Sequence, residues 1–97
     1  MLKRQPIERD AVKVTFALPL DATPLAVSVV GDFNDWDPAA HPLRKRTNGT
    51  RSVSVTVPAG GRYQFKYLAE DGTWFCDDTA DGYELNDFHV ENSVLHV

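Results

Sequence analysis

An all-β fold, a sandwich of antiparallel strands, is what this sequence predicts, and three observations carry the prediction. Short runs alternate apolar with polar residues, and none shows a helical period. Clusters of Gly, Pro, Asn and Asp separate the runs, and each of these residues favours turns for its own physical reason. No strand–helix–strand spacing is present to connect a parallel sheet. At 97 residues and 42% hydrophobic content the chain is sized for one domain around one core.

Residues 1–10 are polar, contain Pro6 and show no period, so they are expected to form an N-terminal arm that lies along the sheet or frays. Residues 11–97 are expected to form the single domain. From Val12 the alternation begins: Val12, Val14, Phe16 and Leu18 fall on one face and Lys13, Thr15 and Ala17 on the other. Pro19 and the turn residues Asp21 to Pro24 end this strand. Leu25 to Val30 reads as the second strand, with Val27 and Val29 inward, and Gly31 closes it. Gly31 to Pro38 is a loop, since glycine, asparagine, aspartate and proline crowd into it around a large aromatic, Trp36.

Ala39 to Arg46 has a mixed pattern and reads as a loop with a short strand around Leu43. Asn48-Gly49 supplies the two positive φ angles of a tight hairpin. A third strand follows, in which Val53, Val55 and Val57 alternate with Ser52, Ser54 and Thr56 up to the turn Pro58 to Gly61. Arg62 to Ala69 puts Tyr63, Phe65 and Tyr67 on its core face and Gln64, Lys66 and Leu68 on the other. The turn Glu70 to Thr73 returns Trp74 to Cys76 antiparallel to that strand, which brings Trp74 into the neighbourhood of Lys66. Asp77 to Asp87 is expected to be a long acidic loop, and Ser93 to Val97 the last strand, with Leu95 and Val97 available to the core. Short strands at this spacing suit a sandwich of immunoglobulin type.

Charge excludes some functions. The net charge of −4 is modest and the basic residues are scattered, so neither nucleic acid nor a membrane is an expected partner. The single cysteine, Cys76, rules out an internal disulfide, and no apolar stretch reaches the length of a signal segment or a membrane span. The expected location is the cytoplasm.

Two tryptophans in so small a domain are by base rate core residues. Trp36, however, lies on a turn-rich loop and Trp74 just after a glycine turn. Flat indole faces on loops suit a sugar, because the axial C–H groups of a glucose ring form an apolar patch that stacks on an aromatic face. The surrounding hydroxyls need partners, or their desolvation cancels the gain. Lys66, Asn34 and Asn92 can serve. Asp77, Thr79, Asp81 and Gly82 imitate the opening of a calcium loop, but Phe88 stands where its bidentate glutamate belongs. His41, His89, His96 and Cys76 have no metal-ligand spacing, so no metal or other cofactor is expected. Asp32, Asp35, Asp37, Asp77 and Asp78 offer carboxylate pairs, but glycoside hydrolysis also needs a cleft that encloses the sugar.

The run Val27 to Pro38, the segment Tyr63-Gln64-Phe65-Lys66-Tyr67 followed by Asp71-Gly72-Thr73-Trp74, and the terminal Asn92-Ser93-Val94-Leu95-His96-Val97 together resemble carbohydrate-binding module family 48. This family includes the N-terminal early-set domains of isoamylases and branching enzymes and the glycogen-binding domain of the AMP-activated kinase β subunit. The likeness spans about Val12 to Val97. It implies an early-set, immunoglobulin-like sandwich and binding of α-1,4-linked glucans such as glycogen, starch and maltooligosaccharides. Position by position, the resemblance makes Trp36 and Trp74 the stacking platforms, Lys66 a hydroxyl contact and Asn92 a hydrogen-bonding partner. Phe88 or Leu85 stands in for the family's inserting leucine. The expectation is a non-enzymatic glucan-binding module, monomeric or weakly dimeric. The alternative is an interaction domain that has lost glucan binding and docks onto a glycogen-metabolising enzyme or self-associates.

Overall fold

The computed structural model describes residues 2–20, 25–86 and 88–97. The turn expected at Asp21 to Pro24 and the end of the acidic loop at Asp87 lie outside the described residues. Among the described residues nine strands follow in order: β1 (Leu2–Glu8), β2 (Ala11–Pro19), β3 (Val27–Gly31), β4 (Arg44–Lys45), β5 (Thr50–Pro58), β6 (Arg62–Ala69), β7 (Trp74–Phe75), β8 (Gly82–Leu85) and β9 (Glu91–His96). A 3-10 turn, Asp32–Asn34, follows β3. One sheet has the order β1-β2-β5-β4. The other has the order β3-β6-β9-β8, with β7 pairing β6. Every pairing is antiparallel, and the two sheets pack as an immunoglobulin-like sandwich. Among the described residues no helix is long and apolar enough to cross a membrane.

The period-two pattern decides the core. Val14, Phe16 and Leu18 of β2 and Val55 and Val57 of β5 face Val27 and Val29 of β3, Phe65 and Tyr67 of β6 and Leu95 of β9 across the interior. Aromatic rings dominate its centre: Phe16 meets Phe65 edge-on with centroids 5.1 Å apart, and Phe65 meets Tyr67 likewise at 5.9 Å. Leu43 joins the core, because the segment before β4 lies along β3 and Leu43 donates its amide N–H to the Val27 carbonyl at 2.8 Å.

Three elements differ from, or add to, what the sequence pattern conveys. Residues 2–8 form β1, paired with β2 from Leu2 opposite Phe16 to Pro6 opposite Val12, after which the register shifts so that Glu8 lies opposite Ala11. All but Leu2 are exposed, so no apolar period marks the strand, and an edge position tolerates Pro6. The acidic stretch expected as a loop contains β8, which pairs β9 from Gly82 opposite Val94 to Leu85 opposite Glu91. Its acid is a cross-strand partner: Glu84 accepts a hydrogen bond from Gln64 Nε2 at 2.8 Å and forms an ion pair with Arg62. The hairpin between β4 and β5 uses one positive φ rather than two. Gly49 has φ 81°, Asn48 does not share it, and the Arg46 amide bonds the Thr50 carbonyl at 2.7 Å, which closes a three-residue loop.

Gly31 is required by proximity rather than by dihedral, since its φ of −170° is extended backbone. A Cβ there would lie 2.6 Å from the Gln64 carbonyl oxygen and 2.7 Å from Phe65 Cβ, both fixed by β6. Gly31→Ala is therefore expected to lower stability by about 3 kcal/mol through overpacking. The urea midpoint measures it, and an unchanged midpoint would mean that β3 moves freely away from β6.

Candidate functional site

The loop after β3 is built around a backbone that its residues do not favour. Asp35 and Trp36 both lie in the left-handed region, at φ 55° and 56°. For a bulky residue such as tryptophan that conformation costs on the order of 1 kcal/mol or more, so it persists only where the surroundings over-determine it. They do. The Trp36 amide donates to the Gly31 carbonyl at 2.9 Å, and the indole Nε1 donates to Asp32 Oδ1 at 2.9 Å. Asp32 Oδ2 in turn accepts from the Gln64 amide of β6 at 2.8 Å, which ties the loop to the sheet. Phe33 packs its ring against Phe16 at 5.3 Å and so roots the turn in the core.

Asn34 does not reach the cavity described below. Its Oδ1 accepts from the Gly31 amide at 3.0 Å, while Nδ2 meets the Val29 carbonyl at 3.1 Å and His41 Nδ1 at 2.9 Å. Unlike the other expected contact residues, Asn34 is not among the residues lining the cavity, and its amide is engaged inside the loop, where it holds the turn.

The second part of the site comes from the outer face of the five-stranded sheet. Trp74 is paired with Leu68 in the β6–β7 register, and Leu68 shares a face with Lys66 two residues away. Phe65 pairs Ser93 in the β6–β9 register, and one step further Lys66 comes opposite Asn92. The loop after β8 is organised by Asn86. Its Oδ1 accepts from the Phe88 amide at 2.8 Å and from the Val90 amide at 3.2 Å, and this bends the loop so that Phe88 stands out 83% exposed.

Trp36, Lys66, Trp74, Asn92 and Phe88 meet around one open cavity of about 530 Å³, together with Asn86 and Val90. The walls are largely apolar, from two indoles, a phenyl ring and a valine, with one ammonium and two amides among them. Trp74 is 45% exposed. Lys66 is 8% exposed, and among the described residues no hydrogen bond or ion pair engages its ammonium. The buried part of the residue is its aliphatic stem, and the ammonium keeps access to the cavity, where a partner can reach it. Asn92 is held by a relay: its Nδ2 donates to Gln64 Oε1 at 2.9 Å, and Gln64 is held by Glu84.

Sequence reasoning did not single out Asp32, Asn86 and Val90 for this site. For Asp32 the signal was its place four residues before Trp36. For Asn86 it was an Asx-type turn residue two before Phe88. Among the described residues no carboxylate lines the cavity and no cluster of His, Cys, Asp and Glu could hold a metal ion. Asp77, the first residue of the calcium-like run, is 1% exposed and turned inward, accepting from the Tyr67 hydroxyl at 2.5 Å and from the Thr79 amide at 2.8 Å. Burial pushes its carboxyl up, but the bonds from Thr79 and Tyr67 outweigh that and hold it below the ordinary value.

Residues 11–83 match the sequence model of carbohydrate-binding module 48 (isoamylase N-terminal domain). The chain is 38% identical over 73 residues, 74% of its length, to the 1,4-alpha-glucan branching enzyme GlgB of Nitrobacter hamburgensis. It is 49% identical over 49 residues to the enzyme of that name from Nitrobacter winogradskyi. It spans 10% of the first enzyme and 7% of the second. Among solved structures, the enterobactin esterase FES from Shigella flexneri superposes with a TM-score of 0.77 over 99% of this chain and 32% of its own, at 10% identity, a likeness of fold alone.

Proposed function

The chain belongs to the carbohydrate-binding module 48 (isoamylase N-terminal domain) family, and from that membership we propose that it binds α-1,4-linked glucans without cleaving them. The observation that carries this reading is Lys66, whose residue is buried while its ammonium, engaged by no hydrogen bond or ion pair among the described residues, opens on a cavity walled by the two indoles. Glucose rings stack their C–H faces on Trp36 and Trp74, while hydroxyls take hydrogen bonds from the Lys66 ammonium and exchange them with the Asn92 amide. Phe88 adds an apolar edge against which a curved glucan chain closes. The 1,4-alpha-glucan named in the similar branching enzymes supports the choice of ligand. With no carboxylate lining the cavity among the described residues, the pair that glycoside hydrolysis requires is not at hand, and this supports a binding role.

A shallow site with two stacks gives an affinity between micromolar and millimolar, about −4 to −8 kcal/mol. Isothermal titration with maltoheptaose tests it. The expected result is one binding event, weakened about tenfold in Lys66→Met, with no heat from a β-1,4-linked oligosaccharide of equal length. Absence of heat with maltoheptaose and absence of co-sedimentation with glycogen would overturn the reading and leave an interaction domain in its place.

A further inference from the structure

We propose that His41 is a positioning residue of the glucan site, one that holds the Trp36 loop through Asn34 only while its imidazole is neutral. The inference rests on the glucan-binding reading for its consequence but not for its geometry. Asn34 Oδ1 accepts from the Gly31 amide at 3.0 Å, and a backbone N–H can only donate, so the orientation of the amide is settled. Its Nδ2 then carries two hydrogens, one for the Val29 carbonyl at 3.1 Å and one for His41 Nδ1 at 2.9 Å. Nδ1 must therefore be the bare, accepting nitrogen, with the proton on Nε2.

An imidazolium carries N–H on both nitrogens, and its Nδ1–H would point at the N–H of Asn34. Turning the Asn34 amide over does not resolve this conflict, because it would set Nδ2 against the Gly31 N–H and Oδ1 against the Val29 carbonyl. Protonation of His41 thus removes one anchor of a loop whose next two residues, Asp35 and Trp36, both occupy the left-handed region. Gly31, the other end of the Asn34 bond, is also the acceptor for the Trp36 amide, so the loss passes to the platform directly.

Among the described residues no hydrogen bond sets an acceptor against His41 Nδ1, whose polar side-chain neighbour is the Asn34 amide nitrogen. β3 carries no titratable residue. Phe33, whose ring meets His41 edge-on at 6.3 Å, has Tyr63 of β6 as a further ring contact at 6.4 Å. Asp32 is engaged by the Trp36 indole and the Gln64 amide, and Asp37 by the Ala39 amide at 2.9 Å. Asp35 and Arg44 are exposed.

The test is an NMR titration from pH 8 to pH 5, the range over which histidine side chains change charge. The Gly31 amide and Trp36 indole N–H signals are expected to shift with the same midpoint as the His41 Cε1–H signal, from a starting state with the proton on Nε2. In His41→Asn, whose side-chain oxygen accepts from Asn34 at any pH, both signals hold still. The affinity for maltoheptaose falls about tenfold across that range in the unaltered protein and less than twofold in His41→Asn. Loop signals that stay fixed while His41 titrates, or a proton on Nδ1 at pH 8, would overturn the proposal. Absence of maltoheptaose binding at pH 8 would remove the glucan reading instead, and the sugar-free titration decides the His41 lock either way.

Discussion

Trp36→Gly lowers the affinity for maltoheptaose about thirtyfold and leaves the melting temperature within a few degrees of that of the unaltered protein. Loss of a central tryptophan at a binding surface costs about 2 kcal/mol, which is a factor of about thirty. Stability is spared for a reason specific to this position. Trp36 has φ 56°, so glycine relieves on the order of 1 kcal/mol of backbone strain, which offsets part of its larger unfolded-state entropy, of the lost packing of a half-buried ring and of the lost indole bond to Asp32. Trp74→Ala, on the short strand β7, has no strain to relieve and is expected to weaken binding to a similar degree with a small loss of stability. Titration calorimetry and a thermal melt on the same samples check both. A Trp36→Gly protein that binds as tightly as the original would remove Trp36 from the site, and one that unfolds would show that the indole holds the loop rather than the sugar.

Asp77→Ala destabilises the fold by about 3 kcal/mol, which for a domain of this size lowers the melting temperature by about 15 °C. Asp77 is a buried hub. Its carboxylate accepts from Tyr67, Thr79 N–H and Thr79 Oγ1, its amide donates to Ser93 Oγ at 2.9 Å, and its carbonyl accepts from the Tyr83 hydroxyl at 2.6 Å. Alanine would leave the Tyr67 hydroxyl, at 0% exposure, without this acceptor inside the core. Asp77→Asn keeps a neutral acceptor and is expected to lose about half as much.

The pair also contributes to the pH dependence of stability. The folded protein holds the Asp77 carboxyl below its ordinary value, so on acidification the unfolded chain takes up the proton first. The contribution is whole above about pH 5 and is lost as the pH falls below the ordinary carboxylate range. Tyr67 acts at the other end: burial, and then the neighbouring Asp77 charge, push its hydroxyl far up. The folded protein keeps that proton while the unfolded chain releases it above about pH 10, so stability declines on the alkaline side too. Urea midpoints across the pH range should show an acid limb that flattens in Asp77→Asn. An identical limb in both proteins would assign the acid sensitivity to other carboxylates.

Most of the sandwich was legible because a half-buried strand leaves a period-two trace, as Val12 to Leu18 and Val53 to Val57 do. β1 left none, since it is an edge strand exposed in all but Leu2, and β8 left only the short alternation Gly82 to Leu85 inside an acidic stretch, with its apolar Tyr83 and Leu85 exposed. Of the site, the aromatic and polar types were legible in Trp36, Trp74, Lys66 and Asn92, because large aromatics among turn residues are out of place in a small core.

Residue types and spacing thus determined by themselves that this is a sandwich with aromatic residues held on its loops. Only the tertiary structure decided which of them meet. The β6–β7 register sets Trp74 on the Lys66 face, and continuation of the β6–β9 ladder brings Asn92 opposite Lys66. Asn34, with the same amide and a place on the same loop as Trp36, is spent on Gly31, Val29 and His41 instead. The physical reason is that a hydrogen-bonding side chain is available to a ligand only after the backbone groups around it have taken their partners, and those partners are fixed by strands far apart in the chain.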